Sequence, residues 1–123
     1  MTPFSKFLLD IRQQRGLRQN QMANLLGFEQ SYLSALECGH KAPPKKEKLD
    51  HLIQKLALID VDASELRMAA KASAKTIKIP NKVKIQTQEM CHLLEEALPK
   101  ISDKQVQIIR LALELSKQEA PKM

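Results

Sequence analysis

Apolar residues recur along most of this chain at three- and four-residue spacing, the period of a helix that buries one face. Phe4, Phe7, Leu8 and Ile11 form the first such stripe and predict a helix over residues 3–15, with Thr2 suited to its N-cap and Pro3 to its first position. A second helix is expected over 19–26, with Met22 and Leu26 inward, and a third over 29–38, with Leu33 and Leu36 inward. The chain has only three glycines, Gly16, Gly27 and Gly39. Each falls just past one of these helices, where a left-handed residue ends the turn. Ala42-Pro43-Pro44 forbids helix. A fourth helix follows over 45–58, with Leu49, Leu52, Ile53 and Leu56 on one face. Asp62, three residues before Glu65, is a capping signal for a fifth helix over 63–73, which Leu66, Ala69 and Ala70 would bury.

The pattern then changes. Lys71, Lys75, Lys78, Lys82 and Lys84 occur with no acidic residue among them, and Ile77-Lys78-Ile79 and Val83-Lys84-Ile85 alternate at period two around Pro80-Asn81. Two readings stand: a small hairpin, or a solvated linker. Helical spacing returns over 87–98, with Met90, Leu93, Leu94 and Ala97 on one side. Ser102-Asp103-Lys104-Gln105 is a capping box for a last helix reaching about residue 117. Its apolar surface is wide, with Val106, Ile109 and Leu113 in one row and Ile108, Ala112 and Leu115 beside it. Two helices this apolar need a surface to pack on. Either they cover the first five helices or they pair with a second copy. The copy is the expectation, through Val106, Ile109 and Leu113, because the first five helices satisfy their own core pattern. The fold class is therefore all-α: a five-helix domain over 1–75, a basic linker or short extended segment over 76–86, and a helical pair over 87–123.

Residues 19–37, QNQMANLLGFEQSYLSALE, have a more specific form. Ala23 is small where a second helix must pass close, Gly27 can take the positive φ of a tight turn, and Met22, Leu26, Phe28, Leu33 and Leu36 are apolar where two helices share one core. That pattern builds a helix-turn-helix, whose second helix can lie in a DNA major groove. With Ile11-Arg12, Gly16-Leu17, Gln19 and Leu36-Glu37 added, residues 4–70 resemble the Cro/lambda-repressor type of helix-turn-helix, also called the xenobiotic-response-element (XRE) family. The resemblance implies a compact five-helix domain that binds operator DNA, usually as a dimer. It also implies that Gln19 contacts a phosphate and that Arg12 and Glu37 form an ion pair between the first helix and the end of the third.

Phosphate contacts position a DNA-binding protein and base contacts give it specificity. Arg18 and Lys41 flank the helix pair and would join Gln19 in neutralising phosphates. Tyr32 would either lay its hydroxyl on a phosphate or pack beside Phe28. Base reading falls to the exposed N-terminal face of the third helix: Glu29, Gln30, Ser31, Ser34 and Ala35. Gln30 is the foremost candidate, since a carboxamide can bond adenine N6 and N7 together. Glu29 stands where the family more often has Ser or Thr, and suits a helix start or cytosine N4. Ala35 stands where many relatives carry a long polar side chain and offers only a methyl contact to thymine, which shifts weight to DNA shape.

Composition narrows the classes. A net charge of +6 favours a polyanionic partner, and an aromatic content of 3% with no Trp argues against stacking platforms for single strands. Cys38 and Cys91 lie far apart, which suits a reducing cytoplasm, and His40, His51 and His92 show no metal spacing with them. The first residues lack a basic signal-peptide start, and no apolar run is long enough for a membrane span. No phosphate loop, nucleophile elbow or carboxylate pair is present. The expectation is a non-enzymatic cytoplasmic regulator of transcription, most simply a repressor that binds double-stranded DNA as a homodimer without cofactor or metal. The competing expectation is an antitoxin-like protein whose C-terminal helices hold a partner protein.

Overall fold

Thr2 and Ser5 start the fold by capping each other. The Ser5 N–H donates to Thr2 Oγ1 at 3.1 Å, and the Thr2 N–H donates to Ser5 Oγ at 2.7 Å. With Pro3 in the first turn, this pair launches α1 (Pro3–Gln14). The computed structural model describes residues 1–118, and side chains as far as Leu115. It continues with α2 (Gln19–Leu26), α3 (Gln30–Cys38), α4 (Lys46–Lys55), α5 (Asp60–Ala72), α6 (Ile85–Ala97), a 3₁₀ turn at Leu98–Lys100, and α7 (Asp103–Gln118). The described chain is thus all-helical, with no strand. It divides into two units, Met1–Ile77 and a second beginning at Lys78.

In the first unit α1 packs on α3 and α5, and α2 packs on α3 and α4. The inward stripes merge into one core: Phe4, Leu8 and Ile11 from α1, Met22, Ala23 and Leu26 from α2, Leu33 and Leu36 from α3, Leu49, Leu52 and Leu56 from the α4 region, and Leu66 from α5. Two polar contacts close it. Ser73, buried just past α5, accepts a hydrogen bond from the Phe4 N–H at 2.9 Å and donates to the Ala69 carbonyl at 2.7 Å. Arg67 of α5 reaches Asp50 of α4 at 2.5 Å.

The turn between α2 and α3 depends on Gly27, whose φ of +72° places it in the left-handed region. The Phe28 N–H then returns to the Ala23 carbonyl at 2.9 Å, the paired closure of a Schellman motif. Ala57 takes the same left-handed role after α4, with φ +49°. That is why α4 stops at Lys55, short of the expected residue 58.

Other boundaries also shift. α5 begins at Asp60, with Ile59 as N-cap, so Asp62 lies inside the first turn, where its charge favours the helix dipole, and does not cap. α3 begins at Gln30, and Glu29 is its N-cap residue without a capping side-chain bond. The hairpin considered for residues 77–85 does not form: Ile85 opens α6, and the apolar runs on either side of Pro80 are too short to hold each other without a third strand.

The second unit has no comparable core among its described residues. None of residues 78–115 is buried. Its clearest local signal is the capping box of α7, where Ser102 and Gln105 exchange bonds of 2.9 and 3.1 Å.

Ala57 is exposed and holds a conformation that costs an L-residue roughly 1–2 kcal/mol, part of which glycine returns as chain entropy. Ala57→Gly should therefore raise the stability of the first unit by about 0.5 kcal/mol, read as a higher urea midpoint at unchanged slope. A lower midpoint would mean the methyl group makes contacts worth more than the strain.

Candidate nucleic-acid interface

Glu37 is the one carboxylate buried in the first unit's core, with 4% of its surface exposed. It lies near the end of α3, opposite Arg12 on α1. Arg12 Nε donates to one carboxylate oxygen at 2.7 Å and Nη2 to the other at 3.1 Å. The third arm of the same guanidinium, Nη1, holds the Leu17 carbonyl at 3.0 Å. One cation thereby fixes the end of α3 and the chain leading into α2.

The carboxylate can only accept, and this orients the residues beyond it. Gln19, the first residue of α2, must turn its Nε2 towards Glu37, which it meets at 3.0 Å. Its Oε1 then faces the other way and accepts from Gln30 Nε2 across a longer 3.4 Å contact. A chain of side chains therefore runs from α1 through a buried acid to the first residues of α2 and α3. Its outer end, Gln30, is exposed.

Comparison with known families adds to this geometry. The model of the helix-turn-helix domain matches residues 4–74, from the first turn of α1 to just beyond α5. The chain belongs to the helix-turn-helix domain family. No curated protein and no solved structure matches it. The match agrees with the XRE-type resemblance read from residues 4–70.

Within the helix-turn-helix, Glu29, Gln30 and Ser31 are exposed, and Ser34 and Ala35 are half-buried. Gln30, Ser31 and Ser34 lie at spacing that gives one side of α3 a polar surface. The N-terminal turn of α2 presents Gln19 together with backbone N–H groups that an α-helix leaves unpaired at its start. Arg18 precedes it as an exposed N-cap residue whose own N–H donates to Gln21 Oε1 at 2.8 Å. Lys41 is exposed in the turn after α3.

Tyr32 packs against Phe28 edge to face, with ring centroids 5.1 Å apart, the second of its two sequence readings. Lys48 of α4 completes the cluster, its ammonium 4.3 Å from the Tyr32 ring centre and 5.3 Å from that of Phe28. Sequence reasoning missed Lys48, because nothing in the spacing of α4 distinguishes it from the lysines beside it. These residues edge a shallow open cleft with Glu29 and His51.

Val106 is 37% exposed, Ile109 half-buried and Leu113 62% exposed, all on α7. Cys38 is exposed and Cys91 half-buried. Among the described residues no group of His, Cys, Asp and Glu is placed to hold a metal, and no helix is long and apolar enough to cross a membrane.

Glu37→Ala would leave Arg12, only 18% exposed at its side chain, without its counter-ion. The expected loss is about 3 kcal/mol in urea unfolding of the first unit, the lower end for a broken buried pair because Arg12 keeps some access to water. A loss below about 1 kcal/mol would reduce the pair to the value of a surface contact.

Proposed function

We propose that the protein is a sequence-specific regulator of transcription, a repressor that binds a partly palindromic operator as a homodimer. The observation that carries this reading is the chain from Glu37 through Gln19 to Gln30. A side chain that reads a base must present donor and acceptor in a fixed order, and an amide free to flip presents both orders. Here the buried acid orients Gln19, and the 3.4 Å contact from Gln30 to Gln19 supports one order at Gln30. Gln30 keeps one Nε2 hydrogen and its whole Oε1 for an adenine edge.

In this reading α3 lies in the major groove. Gln30 pairs with adenine N6 and N7, Ser31 and Ser34 offer hydroxyls, Ala35 meets a thymine methyl, and Glu29 accepts from cytosine N4. Gln19 and the start of α2 sit on a phosphate, with Arg18 and Lys41 adding charge and Tyr32 close to the backbone. Two copies, held together through α6 and α7, would set their α3 helices about 34–36 Å apart, one turn of DNA. Occupying a promoter in this way excludes polymerase. No chemistry is asked of the protein.

Selection of bound sequences from a random duplex library tests the reading. An inverted repeat should be enriched at moderate salt. Binding that is only bulk and salt-sensitive would overturn it in favour of a protein-interaction role. Gln30→Ala should weaken the selected site about tenfold to a hundredfold, the worth of one bidentate pair, while leaving random DNA nearly unchanged. Gln19→Ala should weaken both, and its extra loss on the selected site should vanish when Gln30 is already Ala. Additive losses would show that Gln19 does not orient Gln30.

A further inference from the structure

Among its described residues the second unit has helices and no interior. On α7, Ile108, Leu111 and Leu115 share a face and are each more than half exposed. On α6, Met90 and Leu93 form a matching pair, 52% and 69% exposed. Of the row expected to make dimer contacts, Val106 and Ile109 are the least exposed large apolar residues of α7, while Leu113 is 62% exposed. Helices of 13 and 16 residues are marginal in water without a buried face. Capping helps α7 alone, since α6 has no side-chain cap.

We propose that α6 and α7 build their core only with the same helices of a second copy, along the Ile108, Leu111 and Leu115 face, so that folding of this unit and dimerisation are one equilibrium. The proposal rests on the homodimer reading above and adds what the dimer contact is made of and when it exists.

Two features select a second copy as the occupant. The first is area. Met90, Leu93, Ile108, Leu111 and Leu115 are each more than half exposed, a cluster of large apolar side chains such as forms the centre of the roughly 800 Å² that one partner brings to an interface of standard size. The second is charge. α6 carries Glu89, Glu95 and Glu96 and no Lys or Arg, whereas α7 carries Lys104, Arg110 and Lys117 against Asp103 and Glu114. A two-fold pairing lays α6 of each copy beside α7 of the other, so the acidic helix meets the more basic one twice. Ion pairs within each helix join His92 to Glu96 at 3.0 Å and Arg110 to Glu114 at 3.9 Å, and none of them involves Glu89, Glu95 or Lys104.

Sedimentation and circular dichroism of the full chain over a dilution series test this. The expected result is a dimer that dissociates with loss of the helical signal of α6 and α7 at the same concentration, while amide exchange shows the first unit still protected. Ile108→Glu with Leu111→Glu should give a monomer with that signal already lost, the first unit intact and operator affinity down at least tenfold. Gln88→Ala, exposed on the side of α6 away from Met90 and Leu93, should behave as the parent.

A dimer that dissociates with full helicity would overturn the coupling, and so would a monomer with full helicity at every concentration. A monomer whose C-terminal helices are unfolded at every concentration would assign the face to a different protein. These outcomes are separate from the fate of the operator reading. Failure of that reading appears as no enriched sequence, whatever the oligomeric state, and failure of this one appears in the helical signal, whatever the DNA result.

Discussion

The helix-turn-helix depends on a buried carboxylate that can only accept hydrogen bonds. Glu37 sits in the core among leucines, where an unpaired charge would cost several kcal/mol. Arg12 satisfies it with two bonds and spends its remaining arm on the Leu17 carbonyl. The same charge that must be neutralised for the fold to exist also sets the donor order of Gln19, and through it of Gln30. Stability and orientation of the candidate reading residues are thus consequences of one atom pair. An apolar substitute for both partners could keep the core but would release the amides.

The core around this pair explains why the surface chain is placed at all. α2 and α3 must approach closely enough for Gln19 and Gln30 to touch, which requires Ala23 at their contact and a residue in the left-handed region between them. Phe28 then leaves the turn half-buried and carries Tyr32 and Lys48 on its ring. The polar links lengthen inward, from 11 residues between Gln19 and Gln30 to 18 between Gln19 and Glu37 and 25 between Glu37 and Arg12 of α1. α1 is itself anchored at its start by Ser73, from the far end of the unit.

Much of this was legible in the residues. The apolar stripes, the three glycines and the capping pairs located the helices, since period and turn chemistry are local properties. The misplaced ends were those where a local rule was broken: Ala57 takes a glycine's conformation, and Ile59 caps α5 without a side-chain oxygen. Neither deviation leaves a trace in the sequence, because tertiary packing of Leu56 and Leu58 against the core imposes them. The residues of the Glu37 chain were individually evident, but not their joining. That four polar side chains from three helices share hydrogen bonds depends on helix placement at ångström level, and spacing along a chain carries no such information. Lys48 was missed for the same reason.

The two units solve the same problem differently. In both, amphipathic helices carry more apolar surface than one helix can hide. The first unit brings five helices together and closes a core of its own. The second offers two, too few to enclose a side chain on all sides, and none of its described side chains is buried. A face of this kind is a cost to a monomer and a source of free energy to an assembly. If two copies share it, the free energy that folds α6 and α7 is the same free energy that joins two recognition helices. Operator affinity would then rise steeply with protein concentration, because one bound helix recruits the other only after the C-terminal helices have formed.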